Sequence, residues 1–193
     1  MSYHIYTTEG IVLKRMGSGE ADVSVYLLTQ DLGLVMAKAK SARLSASKLR
    51  SGLEEYTSGT FSLIKSKNGW KITNVVEKEN FFFSTPVYSR KLLAQISAVL
   101  IKMIAGEYPQ HDIYELVHKS FGFLKGADPE DLPGLEVLTV LRVLNLLGYV
   151  EGGVNLDRFL QDSEFSKDVI SETILGKREL VFVINKALKE SQL

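Results

Sequence analysis

The sequence predicts an α+β chain: an N-terminal five-stranded OB-fold barrel followed by an all-helical C-terminal domain. Two observations carry this. Up to residue 80, β-branched and aromatic residues come in short runs broken by glycine. Beyond it, apolar residues recur at helical spacing. The expected domains are therefore residues 1–80 and 81–193.

Five strands are expected in the first part. Gly10 to Arg15 is one. Asp22 to Thr29 is a second, where Val23, Val25 and Leu27 alternate with Ser24, Tyr26 and Leu28, and Gly17-Ser18-Gly19 marks the hairpin between them. Gly33 opens a third, Leu34 to Lys40. Tyr56 to Lys65 and Trp70 to Val76 are joined by an Asn68-Gly69 turn. Five short strands with tight turns suit a small barrel, and the OB-fold is one of the few common five-stranded solutions.

In the second part, Thr85 is placed to cap a helix with Pro86 at its first position, and Leu92, Ile96, Val99, Leu100 and Met103 mark one face. Another helix is expected over His111 to Lys125. A third runs from Asp128-Pro129 to Gly148, apolar almost all round and so central to the helical half. Ser163 or Ser166 caps a further helix, and Lys177 to Glu190 forms the last. Phe81-Phe82-Phe83 is expected to pack the barrel against the first helix as a hinge.

Composition is that of an ordinary globular chain, 45% hydrophobic and 24% charged, which argues against disorder. With no cysteine, disulfides and cysteine-ligated zinc are excluded. Met1 to Gly10 does not read as a signal peptide, and Leu132 to Leu147, the longest apolar stretch, is short for a membrane span and carries Glu136 and Arg142. The expectation is a soluble, cytoplasmic protein with no membrane contact. Net charge is zero, but residues 1–80 hold 11 Lys/Arg against 8 Asp/Glu, and residues 81–193 hold 12 against 15. A basic front and an acidic back suggest surfaces with different partners.

The basic charge is concentrated. No acidic residue occurs from Leu32 through Leu53, and within that gap lie Lys38, Lys40, Arg43, Lys48 and Arg50. Lys38 and Lys40 share a strand face opposite Val35, Ala37 and Ala39, and Ser41 to Ser51 reads as a flexible polar loop with further cations. Cations on one barrel face and on the loop leaving it suit a phosphate-tracking groove. The alternative is a solvated edge, since edge strands use lysine to deter aggregation. Of the aromatics on the strands, Tyr26, Tyr56, Phe61 and Trp70, Phe61 is expected in the core and Trp70 beside its turn is the candidate base-stacking residue.

Several short segments in order resemble the RecO family of recombination mediators: Thr8-Glu9-Gly10-Ile11-Val12-Leu13-Lys14, then Gly19-Glu20-Ala21-Asp22, then Leu28-Thr29 and Gly33. Ala39-Lys40-Ser41-Ala42-Arg43 with Ser47-Lys48-Leu49-Arg50-Ser51-Gly52-Leu53-Glu54 is similar to the family's basic loop, and Leu141 to Tyr149 to the end of its central helix. The resemblance runs through residues 7–80 and extends thinly beyond. It implies an OB-fold followed by a helical domain and a place in the nucleoid. It also implies binding of single- and double-stranded DNA, strand annealing, and help in loading RecA onto DNA coated by single-strand binding protein. RecR and the C-terminal tail of that binding protein are the implied partners, with RecA engaged indirectly. By position, Lys40, Arg43, Lys48 and Arg50 match the basic loop. Many family members carry a four-cysteine zinc site after the Leu-Gly-Tyr segment; here Val150 to Asn155 follows, and the residues for it are missing.

For the acidic, apolar tail, a receptor needs an apolar groove with a cation to pair the carboxylate. Arg142, interrupting an apolar helix, is the expected partner-binding residue, with a structural bridge to Glu136 as the alternative. No catalytic constellation, cofactor loop or metal site is expected. His111, Glu115 and His118 could share a helix face, but the matching carboxylates and second Glu-x-x-His of a di-metal bundle are lacking. Two other classes stay open: an adaptor using the barrel as a scaffold, and an enzyme using that histidine face. The acid-free stretch separates DNA binding from the first, and metal analysis tests the second.

Overall fold

A computed structural model describes residues 4–104, 106–153, 155–160 and 164–190. The chain groups into two compact units, residues 1–84 with 104–114 and residues 85–103 with 115–193.

The first unit is the expected five-stranded OB-like sheet: β1 (Ile5–Ser18), β2 (Asp22–Thr29), β3 (Gly33–Ala39), β4 (Thr57–Ser66) and β5 (Gly69–Asn80). β1, β2 and β3 form an antiparallel meander, and β4 and β5 a second hairpin. β4 pairs back on β1, and β3 meets β5 through a short parallel seam at Ala37–Trp70 and Lys38–Lys71, completing the ring of pairings. Inward positions alternate as a half-buried strand requires: Val23, Val25 and Leu27 on β2, Val35, Ala37 and Ala39 on β3, Phe61 and Leu63 on β4, Trp70 and Ile72 on β5.

β1 is far longer than Gly10 to Arg15. Its start pairs with β4 from Ile5–Ile64 onward and its end with β2 up to Ser18–Asp22. Thr7, Thr8 and Glu9 carry no apolar alternation, so only the partner strand defines this part. A register shift between Val12 and Lys14 lets Ile11, Val12 and Leu13 all be buried in succession. Gly33 has φ +71, and a Cβ there would stand 2.2 Å from the carbonyl oxygen of Tyr108, so the β2–β3 turn requires glycine. Residues 104–114 thus belong with the strands, fixed also by Gln30 Nε2 to His111 Nδ1 at 2.8 Å.

α1 (Phe81–Ser84) ends the first unit's main stretch. The three phenylalanines differ in burial: Phe81 is fully buried, whereas Phe82 is partly and Phe83 largely exposed.

The second unit holds α2 (Arg90–Met103), most of α3 (His111–Phe123), α4 (Leu132–Leu146), α5 (Asp157–Leu160), α6 (Lys167–Leu175) and α7 (Lys177–Glu190). α4 is central, packed against α2, α5, α6 and α7. It begins later than Asp128-Pro129, because Asp131 accepts a bond from the Asp128 N–H at 3.1 Å and closes a separate turn there. It ends where expected: Gly148 has φ +79, and the Gly148 and Tyr149 N–H groups bond back to the Asn145 and Leu144 carbonyls, closing the last turn.

Thr85 does not cap α2. A short 3-10 turn over Val87–Ser89 precedes the helix, and the Thr85 hydroxyl is buried with no hydrogen-bond partner among the described residues. Ser166 caps α6, accepting from the Val169 N–H at 3.3 Å; Ser163 lies outside the described residues. The short α5 carries no periodic signal in the sequence. No helix among the described residues is long and apolar enough to cross a membrane.

Candidate nucleic-acid interface

Lys38 stands on β3 between Ala37 and Ala39, which enter the core, so it points outward and is exposed. Lys40 follows at the strand's end, also exposed. The chain then turns through Ser41, whose φ of 54 is held by its N–H donating to Asp22 Oδ1 at 2.8 Å. The Arg43 N–H donates to the Ala21 carbonyl at 2.9 Å, and the Arg43 guanidinium to the Gly19 carbonyl at 3.3 Å. Arg43 is thereby placed beside the β1–β2 turn.

Residues 41–51 are not the free polar loop the sequence suggests. Consecutive turns close it, with N–H groups of Leu44, Ser47 and Arg50 bonding back to Ser41, Leu44 and Ser47. Ala42 and Leu53 are buried in the barrel core, and Leu49 packs against it. Three apolar side chains pin the segment while Lys48 and Arg50 stay outside. A pinned loop loses less conformational entropy when it meets a ligand.

Three cations of the same unit have carboxylate partners: Arg15 with Glu54, Lys78 with Glu9, and Lys65 with Glu107 at 2.6 Å. The Lys65 ammonium holds the Glu107 carboxyl below its ordinary range. None of Lys38, Lys40, Arg43, Lys48 and Arg50 has a carboxylate partner among the described residues.

The strand register adds Lys71, which sequence reading missed, and places Tyr26 on the same face. Lys71 on β5 lies directly beside Lys38 across the parallel seam, and it too faces outward, between the core residues Trp70 and Ile72. Like charges side by side on a sheet repel, a cost that a bound polyanion removes. One row along, Tyr26 on β2 lies between Lys14 on β1 and Met36 on β3. Rows two residues apart are about 6.6 Å apart. The face thus offers a half-buried phenol ring with Lys14 beside it and Lys38 one row away on β3. These neighbours are remote in sequence, and only strand pairing shows them.

Trp70 is not an available stacking platform. It is 4% exposed, set edge-on to Tyr6 at 5.2 Å, with Lys65 above its ring at 5.1 Å. Phe61 is in the core as expected.

In the helical unit, Arg142 is 3% exposed. Its Nε donates to the Phe159 carbonyl at 2.7 Å and its Nη1 to the Glu164 carbonyl at 2.9 Å, and the Phe165 ring stacks against it at 4.9 Å. It ties α4 to α5 and to Glu164 beyond it. Glu136 accepts from Gln95 Nε2 instead. Among the described residues, no three His, Asp or Glu groups are gathered to hold a metal ion.

Residues 1–80 match the family model described as the N-terminal domain of recombination protein O. The chain is 30% identical over 145 residues to the DNA repair protein RecO of Heliobacterium modesticaldum, covering 75% of this chain and 52% of that protein. It is 29% identical over 149 residues to DNA repair protein RecO of Thermodesulfovibrio yellowstonii, covering 75% and 58%, and 31% identical over 119 residues to that of Gloeothece citriformis, covering 59% and 41%. The chain therefore spans about half the length of these curated relatives. The fold, the basic segment and these likenesses agree: the chain belongs to the RecO family, and its first 80 residues are that family's N-terminal domain.

Proposed function

We propose that this chain is a non-catalytic DNA-binding mediator of repair and recombination, which holds DNA on its barrel through Lys38, Lys40, Arg43, Lys48 and Arg50. The observation that carries the reading is the absence of carboxylate partners, among the described residues, around these five exposed cations in a unit whose other cations include paired ones. Lys71 extends the row across the seam. Phosphate contacts position a strand without reading its sequence, so single and double strands both fit. A stacked base on Tyr26 favours the single strand. Annealing follows in outline: a surface that neutralises two strands lowers the repulsion that opposes their pairing.

The relatives are named as DNA repair proteins, which favours this reading over an adaptor or a histidine-based enzyme. Assisting RecA on DNA coated by single-strand binding protein, with RecR and that protein's acidic tail as partners, completes the proposal. The net-acidic second half suits protein partners better than DNA.

Fluorescence anisotropy with a labelled single-stranded oligonucleotide at several salt concentrations tests it. Three to five phosphate contacts give a slope of log K against log salt of about −2 to −3.5. No binding at low salt, or an affinity indifferent to salt, contradicts it.

A further inference from the structure

The barrel unit carries a second concave site whose chemistry is the reverse of the basic face. A cavity of about 340 Å³ opens beside Tyr56, Phe82, Phe83, Glu54, Glu55 and Arg15. Its aromatic wall is held in place by the backbone. Tyr56 has φ +65, costly for a bulky residue, and its backbone is held on both sides: its N–H donates to the Val12 carbonyl at 2.7 Å and its carbonyl accepts from the Phe81 N–H at 3.0 Å. The Asn80 side chain donates to the Glu55 carbonyl and accepts from the Phe82 N–H. These bonds set the Tyr56 and Phe82 rings nearly parallel, 17° apart with centroids at 6.4 Å. Phe83 meets Phe82 edge-on at 5.6 Å and is 75% exposed.

Two carboxylates share the cavity. Glu55 is oriented by its Oε1 accepting from the Arg15 N–H at 3.0 Å. Glu54 meets the Arg15 guanidinium at 3.8 Å, the outer limit of an ion pair. The lining therefore has one cation, two anions and exposed ring faces. Phosphate would face the carboxylates, so a nucleic-acid strand is a poor occupant. A cation fits both features: ring faces attract it through their quadrupole, and carboxylates pair with its N–H groups.

We propose that this cavity is a docking site for an arginine or lysine side chain on a basic segment of a partner protein. The cation lies against Phe82 and Phe83 and shares the Glu54 carboxylate with the Arg15 guanidinium, whose own contact with it is long at 3.8 Å. The barrel then has two surfaces of opposite chemistry, one for a polyanion and one for a cationic protein segment, and it can hold both at once.

The test is an amide-resolved NMR titration of the full chain with N-acetyl-arginine methylamide, run beside N-acetyl-norleucine methylamide and deoxyguanosine. The arginine probe should give saturable shifts confined to residues 54–56 and 80–83, with the norleucine probe much weaker. Phe83→Ala should weaken the arginine probe about two- to fivefold, the amount one ring contact supplies at an exposed site. Glu54→Gln should weaken it as well, and neither exposed change should alter shifts elsewhere in the barrel. No saturable shift with arginine overturns the proposal. So does an equal response to norleucine, which would make the cavity merely apolar, or a stronger response to deoxyguanosine, which would make it a base pocket. Indifference of the arginine probe to both variants also overturns it. Salt-dependent DNA binding by the basic face is read separately and is expected to survive Phe83→Ala.

Discussion

The cations of residues 38–50 and Arg142 both interrupt apolar or neutral sequence, yet the fold treats them in opposite ways. The first group is held at the surface by apolar anchors at Ala42, Leu49 and Leu53, with no carboxylate partner among the described residues. Arg142 is drawn inside and commits two of its donors to main-chain carbonyls. The difference teaches that a cation's role follows from what surrounds it. An exposed cation without a partner is available to a ligand. A buried one bonded to carbonyls holds the fold together, because the buried Phe159 carbonyl would otherwise be left unsatisfied.

This comparison can be broken by substitution. Arg142→Ala should have the largest effect on stability, a loss of about 2–5 kcal/mol, since it strands the buried Phe159 carbonyl and empties a buried volume. Chemical denaturation measures it. A loss under about 1 kcal/mol, the range of ordinary substitutions, would show that Arg142 is not a crosslink. Gly148→Ala comes next, at about 1 kcal/mol, because the left-handed turn that ends α4 penalises a Cβ. Thermal unfolding checks it, and an unchanged midpoint would remove the turn from the account. Lys71→Gln is the smallest and has the opposite sign. Removing a like charge opposite Lys38 should leave stability equal or raise it by a few tenths of a kcal/mol, while weakening DNA binding. A destabilised variant with intact DNA binding would place Lys71 outside the interface.

Much of the fold was legible in the sequence because the signals were local. Alternation on β2, the glycine turns at Gly19 and Gly69, and the apolar run of α4 each report their own element. The misses were matters of partnership. β1 begins at Ile5 because β4 supplies its pairing, and nothing in Thr7-Thr8-Glu9 says so. Thr85-Pro86 has the composition of a helix start, but the 3-10 turn after it takes up the backbone and leaves the hydroxyl buried. The basic segment was legible as charge, since a 22-residue gap in acidic residues needs no structure to be seen. Its pinning by Ala42 and Leu49, and its extension to Lys71 and Tyr26, were not, because they depend on register between strands far apart in the chain. Trp70 misled for a related reason: a turn-flanking position suggests exposure, but the seam with β3 turns that position inward.

The most direct test of the central claim compares the salt dependence of single-strand binding in the parent with that in a variant carrying alanine at Lys40, Arg43, Lys48 and Arg50. All four are exposed or half-exposed, so the variant should fold, with each change costing no more than about 0.5 kcal/mol. The parent's slope should lie near −2 to −3.5, and the variant's should be shallower by about 0.7 for each phosphate that is no longer neutralised, with binding weakened alike for every sequence tried. A folded variant that binds as tightly as the parent, with the same slope, would contradict the assignment of the interface to this segment.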